Sequence, residues 1–276
     1  MQERMVMIMK QKFMKVNLHS HTYRCNHADG TEREYVEKAI ESGLKVLGFA
    51  DHSPQIYPVP HKSGMRMKIE EAAGYAEVIN GLKKEYERQI KILLGFEVEY
   101  YPLSFDNLCN ALEPLDYDYF ILAQHFTKNE FDGKYVGGSC NKEHLGYYVQ
   151  GICQALDRGF FTYVAHPDLP PYMEDMDYYR EQMTRICKKA KEKNVPLEIN
   201  LLGMASGRIY PRKAFFEIAA EVGNTAILGL AAHEPNDFKR FEVYERALKF
   251  ADEVGINLVD NNILLRSPKG EKMLTY

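Results

Sequence analysis

The sequence predicts an irregular α/β barrel with a metal site at the C-terminal ends of its strands. Three observations carry this. Short β-rich runs alternate with helical patterns along most of the 276 residues. Seven of the nine histidines stand where an apolar run has just ended. The length suits one closed barrel, which commonly takes about 250 residues.

The strands are expected at 15–18, 46–50, 90–96, 119–123, 161–165, 197–200 and 226–230, with a weaker eighth at 256–259. Each is a short apolar run rich in β-branched or aromatic residues. Helical patterns lie between them. Thr31-Glu32-Arg33-Glu34 reads as a capping box, with Tyr35, Ala39 and Ile40 on one side of the helix and Gly43 as its stop. Pro211 is expected to open a helix running to Glu221, with Gly223 beyond it. Seven or eight such units favour a parallel sheet with right-handed crossovers. A doubly wound sheet offers only one or two crevices. Only a barrel brings all its strand ends round one mouth, and the histidines require that.

The domain is expected to span 14–276, with 1–13 as an N-terminal extension that lacks the apolar core and cleavage site of a secretory signal. The formal net charge is −4 and no basic run exceeds two residues, so nothing marks a nucleic-acid partner. No apolar stretch approaches the ~18 residues of a membrane span. The five cysteines are odd in number and form no C-x-x-C pair. Neither a disulfide framework nor a zinc ribbon follows, and a reducing cytoplasm fits. Oligomeric state is not legible.

The chemistry lies at the strand ends. His19 and His21 are two apart, so on an extended strand they point the same way and can grip one ion. His27, His52, Glu97, His125, His166 and His233 extend the set from separate segments. Imidazole and carboxylate suit zinc, iron and manganese. Two or more such cations activate water and clamp a phosphate for in-line displacement. A phosphate ester, a small molecule, is therefore the expected partner. Arg208 and Arg66, in loops after strands six and two, are candidate phosphate ligands, since guanidinium matches phosphate in a bidentate fork. The alternative for each is a solvated surface arginine. Asp51 points away from His52 and is read as the orienter of a neighbouring imidazole, or as a loop carboxylate. Asp168 either handles protons near the metals or caps the next turn. Glu198 and Asn200 end strand six, where Glu198 either meets a substrate ammonium or serves the core.

These residues resemble a known family. Leu18-His19-Ser20-His21-Thr22, Cys25-Asn26-His27-Ala28-Asp29-Gly30, Asp51-His52-Ser53-Pro54, Gly95-Phe96-Glu97, Gln124-His125, Ala165-His166-Pro167-Asp168 and Ala232-His233-Glu234-Pro235 are, in order, similar to the PHP (polymerase and histidinol phosphatase) superfamily. Arg66-Met67 and Asn200…Gly203…Arg208-Ile209-Tyr210-Pro211 resemble its histidinol-phosphate phosphatases. The resemblance implies a distorted (β/α)7 TIM-like barrel with two or three divalent ions. It gives His19 and His21 to the first metal, Glu97 to a bridge, His125 and His166 to the second, and His27, His52 and His233 to the third. It implies hydrolysis of L-histidinol phosphate to L-histidinol and phosphate, in histidine biosynthesis. Another small phosphate ester is the nearest rival. An amidohydrolase would want a late-strand Asp and a bridging lysine, and neither is found.

One position departs from the pattern. Gly229-Leu230-Ala231-Ala232-His233 carries Ala231 where the family usually has an Asp ligand. That leaves three accounts: an Asp→Ala substitution introduced into the chain, water in place of the carboxylate, or a metal-binding homologue that has lost catalysis.

Overall fold

The computed structural model describes residues 13–276. Four parallel strands form one sheet in chain order: β1 (Val16–Asn17), β2 (Val46–His52), β3 (Lys91–Glu99) and β4 (Tyr119–Ala123). A second parallel sheet holds β5 (Leu197–Asn200), β6 (Thr225–Gly229) and β7 (Asn257–Leu258). Single bridges join the two on both sides. Val164 pairs with Leu122 of β4 and with Leu197 of β5. Ser20 pairs with Ala232, where the His21 amide donates to the Ala232 carbonyl at 2.8 Å and the Ala232 amide to His19 at 3.1 Å. The sheet therefore curls through seven chain segments, the distorted α/β barrel expected.

Two segments differ from expectation. The strand foreseen at 161–165 shrinks to the Val164 bridge. Thr162 and Ala165 still donate to β4, but His166 turns out of the ladder at φ 29 and Pro167 follows. The weak strand at 256–259 is no barrel stave, since β7 pairs only with the base of β6. Beyond it lies an unforeseen antiparallel hairpin, β8 (Asn262–Ser267) and β9 (Gly270–Thr275). Its Ile263, Leu265 and Leu274 join Val16, Leu18, Leu93, Tyr119, Ile121 and Tyr163 in a buried cluster lining the inside of the sheet. The hairpin thus stops the end of the barrel from which the strands start.

The helices α1 (Glu32–Ser42), α2 (Ala72–Glu85), α3 (Phe105–Leu112), α4 (Lys142–Asp157), α5 (Met176–Glu192), α6 (Leu201–Ala205), α7 (Lys213–Val222) and α8 (Phe241–Val254) pack outside. Alternate strand residues meet them. On β3, Leu94, Phe96 and Val98 join the larger helix-facing core, while Leu93, Glu97 and Glu99 fall on the other face. The Thr31–Glu34 capping box forms and Gly43 ends α1 at φ 90. The helix expected to open at Pro211 starts at Lys213 and ends at Gly223. Phe13, assigned from sequence to the extension, is buried edge-on against Phe241 and Tyr244. The rest of the extension lies outside the described residues. No helix among them is long and apolar enough to cross a membrane.

Candidate metal centre

The upper ends of the parallel strands surround a cavity of ≈ 460 Å³. His19 and His21 follow β1, His52 ends β2, and Glu97 lies near the end of β3. His125 follows β4, His166 follows the Val164 bridge, and His233 follows β6. All seven, and His27 from the loop after β1, line the cavity. So do Asn200, Arg208 and Ala231.

Glu97 stands at the centre of the imidazoles. Its Oε1 is 2.9 Å from His166 Nε2, 3.5 Å from His19 Nε2 and 3.9 Å from His125 Nε2. Its Oε2 is 2.8 Å from His52 Nδ1 and 3.7 Å from His21 Nε2. Burial alone would raise this carboxyl, but His52 and His19 outweigh it and hold it well below the usual carboxylate range.

Outside this ring, other groups fix how each imidazole presents its nitrogens. His19 Nδ1 donates to Glu198 at 2.7 Å. Glu99 accepts from the His125 amide at 2.6 Å and from its Nδ1 at 3.2 Å. His27 Nδ1 donates to the Cys25 carbonyl at 2.7 Å, and His233 Nδ1 to the Ala231 carbonyl at 2.8 Å. With Nδ1 carrying the proton, Nε2 of each ring offers a lone pair. These two Nε2 atoms face each other at 3.0 Å. Bare lone pairs at that distance repel, and a cation between or beside them relieves it.

The buried polar atoms test whether the site fits metal ions. His19 Nε2, His21 Nδ1, His52 Nδ1, His166 Nδ1 and Glu97 Oε2 are all buried without a hydrogen-bond partner. Each such orphan costs about 1–3 kcal/mol in a protein interior. His52 Nδ1 and Glu97 Oε2 lie 2.8 Å apart and still form no hydrogen bond. Burial lowers His52 to about 4 and His233 to about 3, so both stay neutral and able to ligate. His19 goes the other way. Burial pulls it down, but Glu198 and Glu97 prevail and raise it to about 10. The donor set therefore fits divalent cations. Ligand atoms of His19, His21 and Glu97 lie within 4.8 Å of one another, as do those of His52, Glu97 and His125, and of His21, His52 and His233. His52 thus stands in two of these sets, where the resemblance gave it to one ion alone.

The remaining residues divide. Arg208 reaches the mouth, exposed, with its guanidinium 2.5 Å from the Tyr210 hydroxyl. Asn200 lines the cavity, but its Oδ1 caps Gly203 at 2.9 Å and its Nδ2 donates to Glu198 at 2.9 Å. Three sequence-based expectations need correction. Glu198 does not face substrate: it is wholly buried and also accepts the His166 amide at 2.9 Å. Gly229 makes room for it, since a Cβ there would sit 1.8 Å from Glu198 Oε1. Arg66 is no free phosphate ligand, for it is buried and held by Glu99, by Glu130 at 3.1 Å and by the Ser53 carbonyl at 3.5 Å. Asp168 does not line the cavity; it accepts the Arg212 amide, and burial raises it to about 7. The cap reading prevails there.

Asp51 is buried beside an imidazole without a hydrogen bond to it. It lies 3.4 Å from His21 Nδ1 while accepting from Thr22 and from the His52 amide at 2.8 Å. Burial raises its carboxyl to about 7. Ala231 is buried at φ 45, a left-handed conformation in which Asp and Asn are enriched and Ala is uncommon. Sequence reasoning missed Glu99, although its spacing from Glu97 puts both on one strand face. It also missed Met65, Tyr135, Leu169 and Leu202 on the cavity wall, which no motif marks, and Tyr210, whose motif was quoted without giving it a role.

A curled parallel sheet with a histidine-rich cleft at its strand ends defines the class, and the PHP domain family model matches residues 17–201. The chain belongs to that family. It is 29% identical over 246 residues to a probable histidinol-phosphatase of Deinococcus radiodurans, covering 86% of this chain and 90% of that protein. It is 26% identical over 253 residues to the histidinol-phosphatase of Bacillus subtilis, covering 79% and 93%. Among solved structures, histidinol phosphate phosphatase of Lactococcus lactis, complexed with zinc, L-histidinol and phosphate, superposes with a TM-score of 0.70 at 18% identity. That match covers 94% of this chain and 98% of the other, and it supports the fold.

Proposed function

We propose that this chain is a phosphatase that hydrolyses L-histidinol phosphate to L-histidinol and phosphate, using two or three divalent ions held by the cavity histidines. The observation that carries the reading is one cavity that gathers seven imidazoles and Glu97, several with orphaned donor atoms, with Arg208 at its mouth. The named relatives supply the substrate.

His19, His21 and Glu97 would hold one ion, His52, His125 and His166 with Glu97 a second, and His27 and His233 a third. The ions, when bound, supply Lewis acidity and an activated water. The protein supplies the rest. Glu198 and Glu99 fix the presentation of His19 and His125, and Asp51 lies 3.4 Å from His21 Nδ1. Arg208 is placed to bind phosphate oxygens and offset charge that develops on them. Tyr135, Tyr210, Met65 and Leu202 wall the cavity and limit water beside the organic part of the ester.

Release of inorganic phosphate tests this, with added Mn2+ or Zn2+ and a panel of phosphomonoesters. L-histidinol phosphate should give the highest kcat/KM; a nucleotide or sugar phosphate in that place would redirect the reading. Ala231 favours a second reading, a chain that binds metal and ester but turns over slowly or not at all. Tight binding of histidinol phosphate without phosphate release would select it.

A further inference from the structure

Two long loops lie over the cavity. Residues 53–68 follow β2 and residues 124–141 follow β4, both almost without regular structure. Loops of this length are uncommon unless they have a function. The second loop folds into a tab: Phe126 pairs with Tyr135, and the Thr127 amide donates to Lys134 at 3.0 Å. Glu130 lies near its tip.

The Glu130 carboxylate turns wholly to the other loop. Its Oε2 accepts from Tyr57 Oη at 3.0 Å, Ser63 Oγ at 2.6 Å and Arg66 Nε at 3.1 Å. Its Oε1 accepts the Gly64 amide at 3.1 Å, and His61 Nε2 lies 3.8 Å away. Four hydrogen bonds thus converge on one largely buried carboxylate from a ten-residue segment. Beyond His125 at its start, the second loop places Tyr135 on the cavity wall, and the first places Met65 there. Arg66, held by Glu130 at Nε, uses another nitrogen to hold Glu99, and Glu99 holds His125.

We infer that Glu130 is a positioning residue, a clasp that locks the two loops together so that Met65 and Tyr135 form a wall for the organic leaving group of the phosphomonoester. This rests on the phosphomonoesterase reading above. Glu130 touches neither the ligand set nor the cavity, so it acts on specificity through the loops. Arg66 holds Glu99 through a different nitrogen from the one Glu130 takes, so His125, and phosphate seated among the histidines and Arg208, keep their support without the clasp. A preorganised wall improves affinity by removing the loop-ordering cost from binding.

The test compares zinc-loaded wild type with Glu130→Ala by three measurements: amide hydrogen exchange across residues 57–66, calorimetric affinity for inorganic phosphate, and the KM for L-histidinol phosphate. Exchange should rise at least tenfold. The KM for L-histidinol phosphate should rise about tenfold, with phosphate affinity unchanged within twofold. Unchanged exchange would overturn the clasp. Equal weakening of both ligands, or an unchanged KM for histidinol phosphate, would overturn its role in the wall. Should Glu130→Ala fail to fold, the Tyr57→Phe/Ser63→Ala double variant removes two of the four donors and must show the same pattern, smaller in size. Wild type that neither binds phosphate nor hydrolyses histidinol phosphate would refute the phosphomonoesterase reading instead, and exchange alone would then decide the clasp.

Discussion

Glu198 and His19 form a buried pair, Oε1 to Nδ1 at 2.7 Å, that joins the end of β5 to the end of β1. The pair leaves His19 Nε2 aimed at Glu97 without a hydrogen bond of its own. In the metal-free protein, burial opposes protonation of His19, but Glu198 and Glu97 raise it to about 10. A cation that takes Nε2 must displace a proton at any pH below that value. Zinc binding at pH 8, measured by calorimetry in buffers of differing ionisation heat, should release about one proton per chain from this site, fading as pH rises through about 10. Glu198→Gln should reduce that release and weaken zinc by roughly 10–100-fold, the usual loss when an imidazole's partner is removed. An unchanged proton count in the variant would disprove the assignment.

The two arginines singled out from sequence should behave differently. Arg208→Ala should raise KM for the phosphate ester by about tenfold or more, with thermal stability unchanged, because its guanidinium is exposed at the mouth. Arg66→Ala leaves Glu99 buried and uncompensated, and breaking a buried pair in that way costs about 3–5 kcal/mol. Denaturant titration of both variants separates the roles. Comparable loss of stability in both would contradict them.

Restoring the absent carboxylate is the direct test of the gap. Ala231 sits at φ 45, where Asp is tolerated better than Ala, and it lines the cavity. Ala231→Asp should therefore fold at no cost in stability and raise both metal affinity and phosphate release, the latter by at least tenfold. No gain in either would mean that the site works without the carboxylate.

Asp168 offers a pH prediction. Its folded pKa is raised by burial to about 7, so the folded state holds the proton more tightly than the unfolded chain. That contribution to stability is present below about 4, the ordinary value, and is lost as pH rises through about 7. Asp168→Asn removes the titration. Relative to the variant, wild type should lose on the order of 4 kcal/mol between those limits. Because Asp168 lies off the cavity, kcat of the variant should stay within about threefold. A collapse of kcat with stability intact would restore the proton-handling role.

The barrel and the gathering of histidines at its mouth were legible for one reason: strand ends in a barrel share a mouth, so residues spaced along the chain converge. His19 through His233 obeyed that rule, each placed by backbone alone. Direction and occupancy were less legible. Arg66, Glu198 and Asp168 lie near the site in sequence, but each is consumed by a partner distant along the chain: Glu130, His19 and the Arg212 amide. No spacing rule reveals such pairings. The hairpin at 262–275 was missed although Asn262–Ser267 and its Pro268-Lys269-Gly270 turn carry a strand-and-turn pattern.

The central claim is that the cavity histidines and Glu97 hold divalent ions that bind phosphate beside Arg208. Anomalous X-ray diffraction from crystals grown with zinc and phosphate tests it most directly. The account predicts two or three zinc peaks ligated by His19, His21, His27, His52, Glu97, His125, His166 and His233, with phosphate on the ions and within reach of Arg208. Zinc bound elsewhere, or phosphate seated away from His19, His52 and His125, would contradict it.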